Sequence, residues 1–310
     1  MVAVLMSTYN GEAYLNEQID SILSQSFADF TLYIRDDGSQ DGTVALIQKY
    51  KDPRIVFLPG KNLGPAQSFF ALLRQARDAD YFFFSDQDDI WYPNKMDRML
   101  SVIGQYGDTP TMVFSDFAMI DTEGAMTAPS YAEFASLQVV PGQIPLNKLI
   151  AQPYAFGCAS VINRSLAQLV LQPPEGIEMH DCWISLTAAA VGELIYLPEQ
   201  TISHRFHDRN ATGRSGQSST LSRIKRMTSG FQAQVRNTAL RLHQVSLLLE
   251  IYGDALLPEP KRLLTEISQA MGQSRTTLVK ALRKYGVSRQ KSLNTLFFYL
   301  TVLGIKGELK

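Results

Sequence analysis

Cysteine is scarce in this chain of 310 residues, with only Cys158 and Cys182. Two thiols cannot build a disulfide framework, and their spacing is not that of a zinc site, so a reducing compartment is expected. Long apolar runs are also missing. The longest, Leu296–Ile305, is about half of the roughly 20 residues a spanning helix needs. Met1–Asn10 has no charged lead-in before its apolar residues, so it is expected to be a strand and not a signal peptide. Three familiar signatures are absent: the glycine-rich dinucleotide turn, the Walker phosphate loop and the G-x-S-x-G elbow. Their absence weighs against dinucleotide redox chemistry, P-loop hydrolysis and α/β-hydrolase chemistry. There is no internal repeat and no low-complexity segment.

What is present begins with 45% hydrophobic residues, enough for one large domain or two modest ones and too many for a disordered chain. The net charge of −1 hides a division. Residues 1–210 carry 13 lysines and arginines against 25 acids, whereas residues 211–310 carry 16 against 5. The acidic body argues against nucleic acid as a partner, and the basic tail suits an anionic surface.

Short apolar runs alternate with helix-period segments through the first hundred residues. Strands are expected at Val2–Met6, Thr31–Ile34, Ile55–Leu58 and Tyr81–Phe84, and helices at Tyr14–Gln25, Thr43–Tyr50, Ala66–Ala76 and Trp91–Leu100. This is an α/β pattern, a mostly parallel sheet with helices on both faces. Further strands are expected at Thr111–Phe114, Ala159–Ile162 and Leu194–Tyr196, with a helix at Asp181–Val191 and a long loop over 124–146. The polar stretch 207–222 marks a boundary. Beyond it, Leu221–Leu249, Lys261–Tyr285 and Ser288–Leu303 have amphipathic helical spacing. A catalytic domain over 1–215 and a basic helical appendage over 216–310 are therefore expected.

Ligands of such sheets sit at the carboxyl ends of the strands. Asp86-Gln87-Asp88-Asp89 comes directly after the apolar Tyr81–Phe84 and Ser85. Three carboxylates there repel one another unless a cation intervenes, and Mg²⁺ or Mn²⁺ holding a diphosphate meets that need. A helix cap is the plainer reading. Asp36-Asp37-Gly38-Ser39-Gln40-Asp41-Gly42 resembles the start of a calcium loop but has Gln48 at the twelfth position; a strand-end carboxylate accepting hydrogen bonds from a nucleoside fits better. Asp181, after His180, is either a helix cap or an acid–base carboxylate. His204-Arg205-Phe206-His207 combines metal-ligand and phosphate-partner chemistry, and either histidine is equally a satisfied core residue.

These residues, with Ser7-Thr8-Tyr9-Asn10-Gly11-Glu12, Ser21–Phe27 and Asn62-Leu63-Gly64, resemble the inverting family 2 glycosyltransferases of the GT-A fold. The string Phe84–Trp91 with Asn94-Lys95, the Met179–Trp183 segment and the basic C-terminal helices resemble bacterial cell-wall polysaccharide rhamnosyltransferases, notably the streptococcal α-1,3 type. The resemblance implies that Tyr9 stacks on the pyrimidine, that Thr8, Asn10, Glu12 and Asp37 hold the nucleoside, and that Asp86 lies near the ribose. It makes Asp88 and His207 ligands of Mg²⁺ or Mn²⁺, Arg205 a phosphate partner and Asp181 the catalytic base. Asp89, Trp91, His180 and Trp183 become contacts to donor sugar or acceptor. Cys182 stands where the family often has an aromatic residue.

The activity implied is transfer of L-rhamnose from dTDP-β-L-rhamnose to a polyprenyl-diphosphate-linked glycan, on the cytoplasmic face of a membrane. The basic helices are expected to meet anionic lipid or to form a homodimer contact. Two alternatives accompany this reading. One is a transferase using UDP-glucose or UDP-galactose; the other, from a different class, is a non-catalytic membrane scaffold.

Overall fold

A computed structural model describes residues 1–137, 139–207 and 230–307. Strands β1 (Val2–Thr8), β2 (Phe30–Asp36), β3 (Ile55–Pro59) and β4 (Tyr81–Ser85) alternate with helices α1 (Leu15–Leu23), α2 (Thr43–Lys49) and α3 (Pro65–Gln75). These strands run parallel in the order β3-β2-β1-β4. They are apolar throughout because both faces are covered: Ala3, Leu5, Phe82 and Phe84 face one core, and Val2, Val4, Met6 and Phe83 the other. β1 has its sequence neighbour β2 on one side and β4 on the other, so the chain reverses direction of travel at β1 and opens a crevice above it.

The chain continues through β5 (Ile90–Trp91), α4 (Lys95–Ile103), β6 (Thr111–Ile120), β7 (Met126–Ala128), α5 (Tyr131–Ala135), β8 (Gly142–Gln143) and α6 (Leu146–Ala151). Then come β9 (Ser160–Asn163), α7 (Arg164–Val170), α8 (His180–Val191) and β10 (Glu193–Arg205). β9 lies antiparallel between β4 and β6, β10 runs parallel to β6, and β5 closes the edge, completing ten strands.

Three expected elements differ. Trp91 begins no helix: Ile90 and Trp91 pair with β10, and α4 starts only at Lys95, after Pro93, where proline disfavours helix in the residue before it. The stretch 124–146 is not one loop. Buried Asp116 accepts hydrogen bonds from Ser130 Oγ and Ala132 N and so seats α5 on the sheet. The helix expected over Lys261–Tyr285 is two, broken at Gly272, with Ser274 capping the second through Thr277 N. Most of the boundary expected over 207–222, from 208 on, lies outside the described residues, as do the 215/216 division and the start of the helix expected from Leu221.

Among the described residues, four helices follow: α9 (Phe231–Tyr252), α10 (Pro258–Met271), α11 (Arg275–Lys284) and α12 (Ser292–Leu303). α9 packs on α6 and α8, and α10 on α8. Leu242, Leu248, Leu264 and Phe298 belong to the same buried cluster as Trp183 and Ile184; each such side chain contributes about 1.5–3 kcal/mol of burial. Tyr252 stacks on Trp183 at 6.1 Å between ring centres, and Arg241 Nε donates to Glu178 at 2.9 Å. The apolar faces of α9 and α10 thus cover α6 and α8, and α8 is fixed from behind.

Candidate active site

The crevice above β1 is built by locks between strand ends. Gln87 holds the backbone of Tyr9 from both sides: Tyr9 N donates to Gln87 Oε1 at 2.8 Å, and Gln87 Nε2 donates to Tyr9 O at 3.1 Å. Asn10 has φ +48, a left-handed conformation asparagine tolerates. Its Oδ1 accepts from Gln40 N at 2.8 Å. A Cβ on Gly11 would stand 2.1 Å from Gln87 Oε1, so any other residue there would push Gln87 off the Tyr9 backbone. The result is a Tyr9 ring 47% exposed on a fixed backbone.

At the end of β2, Asp36 accepts from Thr8 Oγ1, Gly38 N and Ser39 N. Asp37 accepts from Leu63 N at 2.8 Å and Gly64 N at 2.9 Å and pairs with Arg35. The first aspartate shapes its own turn; the second ties β2 to the entrance of α3 and presents its remaining edge to the crevice.

The end of β4 meets the end of β10. Burial and the neighbouring carboxylates Asp89 and Asp88 push Asp86 up to about 8, so near neutrality its protonated form dominates. Asp89 is fully buried, 2.7 Å from His204 Nδ1. Burial raises its pKa, but His204 and the N–H of Arg205 outweigh that and hold it below the carboxylate range. Burial likewise opposes the charge on His204, yet Asp89 raises it to about 9. Beneath them Lys95, wholly buried, is lowered by burial to about 7, donates to Cys158 O at 2.6 Å and lies over the Trp91 ring at 4.2 Å.

Asp88 differs. It lines the cavity; its Oδ2 is 2.8 Å from His207 Nε2, and its Oδ1, like Oδ2 of Asp89, is buried with no hydrogen-bond partner. An orphaned carboxylate oxygen beside an imidazole suits a divalent cation, which favours such oxygen and nitrogen donors. A second group of ligand-type atoms, from Asp86, Asp89, Cys158 and His204, lies within 4.8 Å of one another, but there the Asp89–His204 ion pair already neutralises charge.

Opposite the strand ends stands the first turn of α8. Asp181 Oδ2 accepts from Gly157 N at 3.0 Å and Oδ1 from Cys182 N at 2.7 Å. The chain approaches this closely because residue 157 is glycine: a Cβ there would meet His180 Nε2 at 2.6 Å. His180 is buried, stacked on Phe69 at 4.0 Å, and burial lowers its pKa; neither of its ring nitrogens has a partner.

One cavity of about 420 Å³ joins the two sides, lined at one end by Tyr9, Asp37, Asp86 and Asp88 and at the other by His180 and Asp181. Tyr9, Asn10, Asp88 and His207 also line a second cavity of about 580 Å³. Several expected contacts lie elsewhere. Trp91 and Trp183 are in the core, 2% and 0% exposed, and do not reach a sugar. Thr8 is buried and turned to Asp36. Glu12 accepts from Gly42 N at the start of α2. Asp89 is enclosed with His204. Arg205 is buried, stacked over Tyr14 at 4.5 Å, bonded to the carbonyl of Asp88 and paired with Glu17; it clamps loops together and does not face phosphate. Gln87, in the cavity wall, and Lys95, buried beneath the site, are residues to which motif reasoning gives no role. No signal in the sequence marks either, because each role depends on which distant backbone group the side chain meets.

An α/β sheet of this order, with polar residues converging above β1, has the GT-A fold. The sequence profile of Glycosyl transferase family 2 matches residues 3–167, and the chain belongs to that family. It is 36% identical over 105 residues to the dTDP-rhamnosyl transferase RfbG of Shigella flexneri, covering 32% of this chain and 36% of that one. It is 27% identical over 188 residues to the UDP-Glc:alpha-D-GlcNAc-diphosphoundecaprenol beta-1,3-glucosyltransferase WfgD of Escherichia coli, covering 60% and 69%. The first of these relatives is thus matched over little more than a third of its length. The fold is also that of the mannosyltransferase PcManGT from Pyrobaculum calidifontis, solved with GDP-Man and Mn2+, with a TM-score of 0.59, 14% identity and coverage of 98% of this chain and 85% of that one.

Proposed function

We propose that the protein is a metal-dependent inverting glycosyltransferase that moves L-rhamnose from dTDP-β-L-rhamnose to a lipid-linked glycan. The observation that carries the reading is the single cavity with Tyr9, Asp37 and Asp88 at one end and Asp181 at the other. Nucleotide stacks on Tyr9, Asp37 offers an acceptor edge to the base, and protonated Asp86 donates to the ribose. Asp88 and His207 would hold Mg²⁺ or Mn²⁺, which when bound neutralises the departing diphosphate. Asp181, oriented by two backbone N–H groups, takes the proton of the acceptor hydroxyl. That oxygen bonds the anomeric carbon as the bond to the diphosphate oxygen breaks with its electron pair. One displacement inverts the β-linked donor to an α-linked product, with no protein nucleophile.

Rhamnose is supported by the Shigella relative and by the apolar wall of Phe69, Phe156 and Met179, which suits the methyl group of a 6-deoxy sugar. The Escherichia relative supports UDP-glucose as the second reading. Transfer from a panel of nucleotide sugars to a synthetic polyprenyl-diphosphate glycan, with linkage read by NMR, separates the two. The expected outcome is an α-rhamnosyl product, and Asp181→Asn lowers kcat by about 10²-fold or more while nucleotide binding survives. Full activity of that variant removes Asp181 from the role, and transfer of glucose alone overturns the donor. Loss of transfer with every donor favours a scaffold.

A further inference from the structure

Helix α12 carries a stripe that the rest of the fold does not cover. Leu293, Leu296, Leu300 and Leu303 are each 45–56% exposed, and their spacing places them on one face. Phe298, Thr301 and Val302 fill the opposite face and are buried. The helix itself contains no charged residue. Along the sequence about it, residues 267–307 hold seven lysines and arginines and no aspartate or glutamate, with Lys284 paired to Glu266. Among the described residues, no carboxylate lies within ion-pair distance of Lys280, Arg283, Lys291 or Lys306. Arg275 closes the end of α12 by donating to the carbonyls of Ile305 and Gly307.

We propose that this leucine stripe is a docking face for an anionic lipid bilayer, with α12 lying in the plane of the headgroups. Leu293 to Leu303 spans about 15 Å, and no described helix is long and apolar enough to cross a membrane. An apolar stripe bordered by cations matches the chemistry of an interface whose headgroups are negative. A second copy of this chain is a poorer occupant, since a two-fold contact would bring like positive charge against itself.

Docking also bears on the site. Arg289, just before α12, donates to Ala151 O at 3.2 Å. Ala151 leads within a few residues to Phe156 and Gly157, in the cavity wall beside Asp181. Arg289 thereby ties the start of α12 to the segment that runs into the acceptor end of the cavity, where a glycan tethered to lipid would arrive. This last step rests on the lipid-linked acceptor proposed above; the docking itself does not.

The test is sedimentation of the full chain with vesicles of phosphatidylcholine and phosphatidylglycerol, without donor or acceptor, so that its failure is distinguishable from failure of the transferase reading. The chain is expected to bind these vesicles, and pure phosphatidylcholine more weakly. Leu296→Ser with Leu300→Ser should lower the partition coefficient about ten-fold with unchanged circular dichroism. Lys280→Gln with Lys291→Gln should weaken binding and flatten its salt dependence. Absence of binding by the unaltered chain, or equal binding by the leucine variant, overturns the proposal. So does a dimer in light scattering that the leucine variant converts to monomer, which would make the face an interface between copies.

Discussion

Two carboxylate–imidazole pairs stand side by side in this crevice, made from consecutive aspartates of one loop and from histidines three residues apart. Asp89 meets His204 at 2.7 Å, and Asp88 meets His207 at 2.8 Å. Asp89 is closed off completely and its oxygen is shared with the backbone N–H of Arg205. Each carboxylate keeps one buried oxygen without a hydrogen-bond partner, Oδ1 of Asp88 and Oδ2 of Asp89, but only Asp88 lines the two cavities. The same two side-chain types therefore do opposite work. The enclosed pair spends its charge on holding β4 and β10 together, and the open pair holds charge in reserve for something that enters.

The largest effect should come from breaking the enclosed pair. His204→Ala leaves Asp89 buried without its cation, a change that typically costs about 3–5 kcal/mol; denaturant unfolding measures it. The pH dependence has a definite sign. His204 is raised from 6.5 to about 9, so its contribution is complete below pH 6.5 and declines as pH rises towards 9. Asp89 is lowered, so its contribution is present above the ordinary carboxylate pKa and is lost in acid. Melting temperature should fall between neutral pH and pH 9, and His204→Gln should flatten that fall. An unaltered slope in the variant would mean that the pair does not hold the fold.

A smaller effect, of another kind, should come from the open pair. Asp88→Asn changes a carboxylate that lines the cavities, so the fold should lose little. Mn²⁺-dependent nucleotide binding should weaken by about 10–100-fold, the range seen when groups that support a bound metal are altered. Calorimetric titration of nucleotide with and without Mn²⁺ reads this directly. An unchanged metal dependence would assign the cation elsewhere, with the Asp86, Asp89, Cys158 and His204 group as the next place to look.

Much of this comparison is legible in the sequence, and part is not. The polar residues after β1, β2 and β4 converge because parallel strands leave every such loop at one edge, which the apolar runs and their spacing already imply. The place of Asp181 before an apolar helix likewise marks it as a site candidate. Which aspartate pairs with which histidine is not legible. That depends on the register of β10, a strand of thirteen residues with two irregularities near Pro198, where the local pattern Leu194–Tyr196 suggests only a short strand. Arg205 escapes for a similar reason: its type suits phosphate, but its side chain lies on the inward face, over Tyr14. Trp91 and Trp183 are large and half-polar, and from sequence such residues read equally as core or as sugar platform.

The lock that joins the open pair to the nucleotide end gives the mildest test. Gln87 sits between Asp86 and Asp88 and holds both backbone groups of Tyr9. Gln87→Ala leaves every cavity carboxylate in place, so metal binding should persist. It removes two hydrogen bonds, each worth about 0.5–1.5 kcal/mol, and frees the loop that presents the Tyr9 ring. Nucleotide affinity should then drop about five-fold, with the loss appearing equally with and without Mn²⁺, because the altered contact is to the base and not to the diphosphate. Loss confined to the metal-dependent part would show instead that Gln87 acts through Asp88, and the division between a stacking end and a charged end of the crevice would fall.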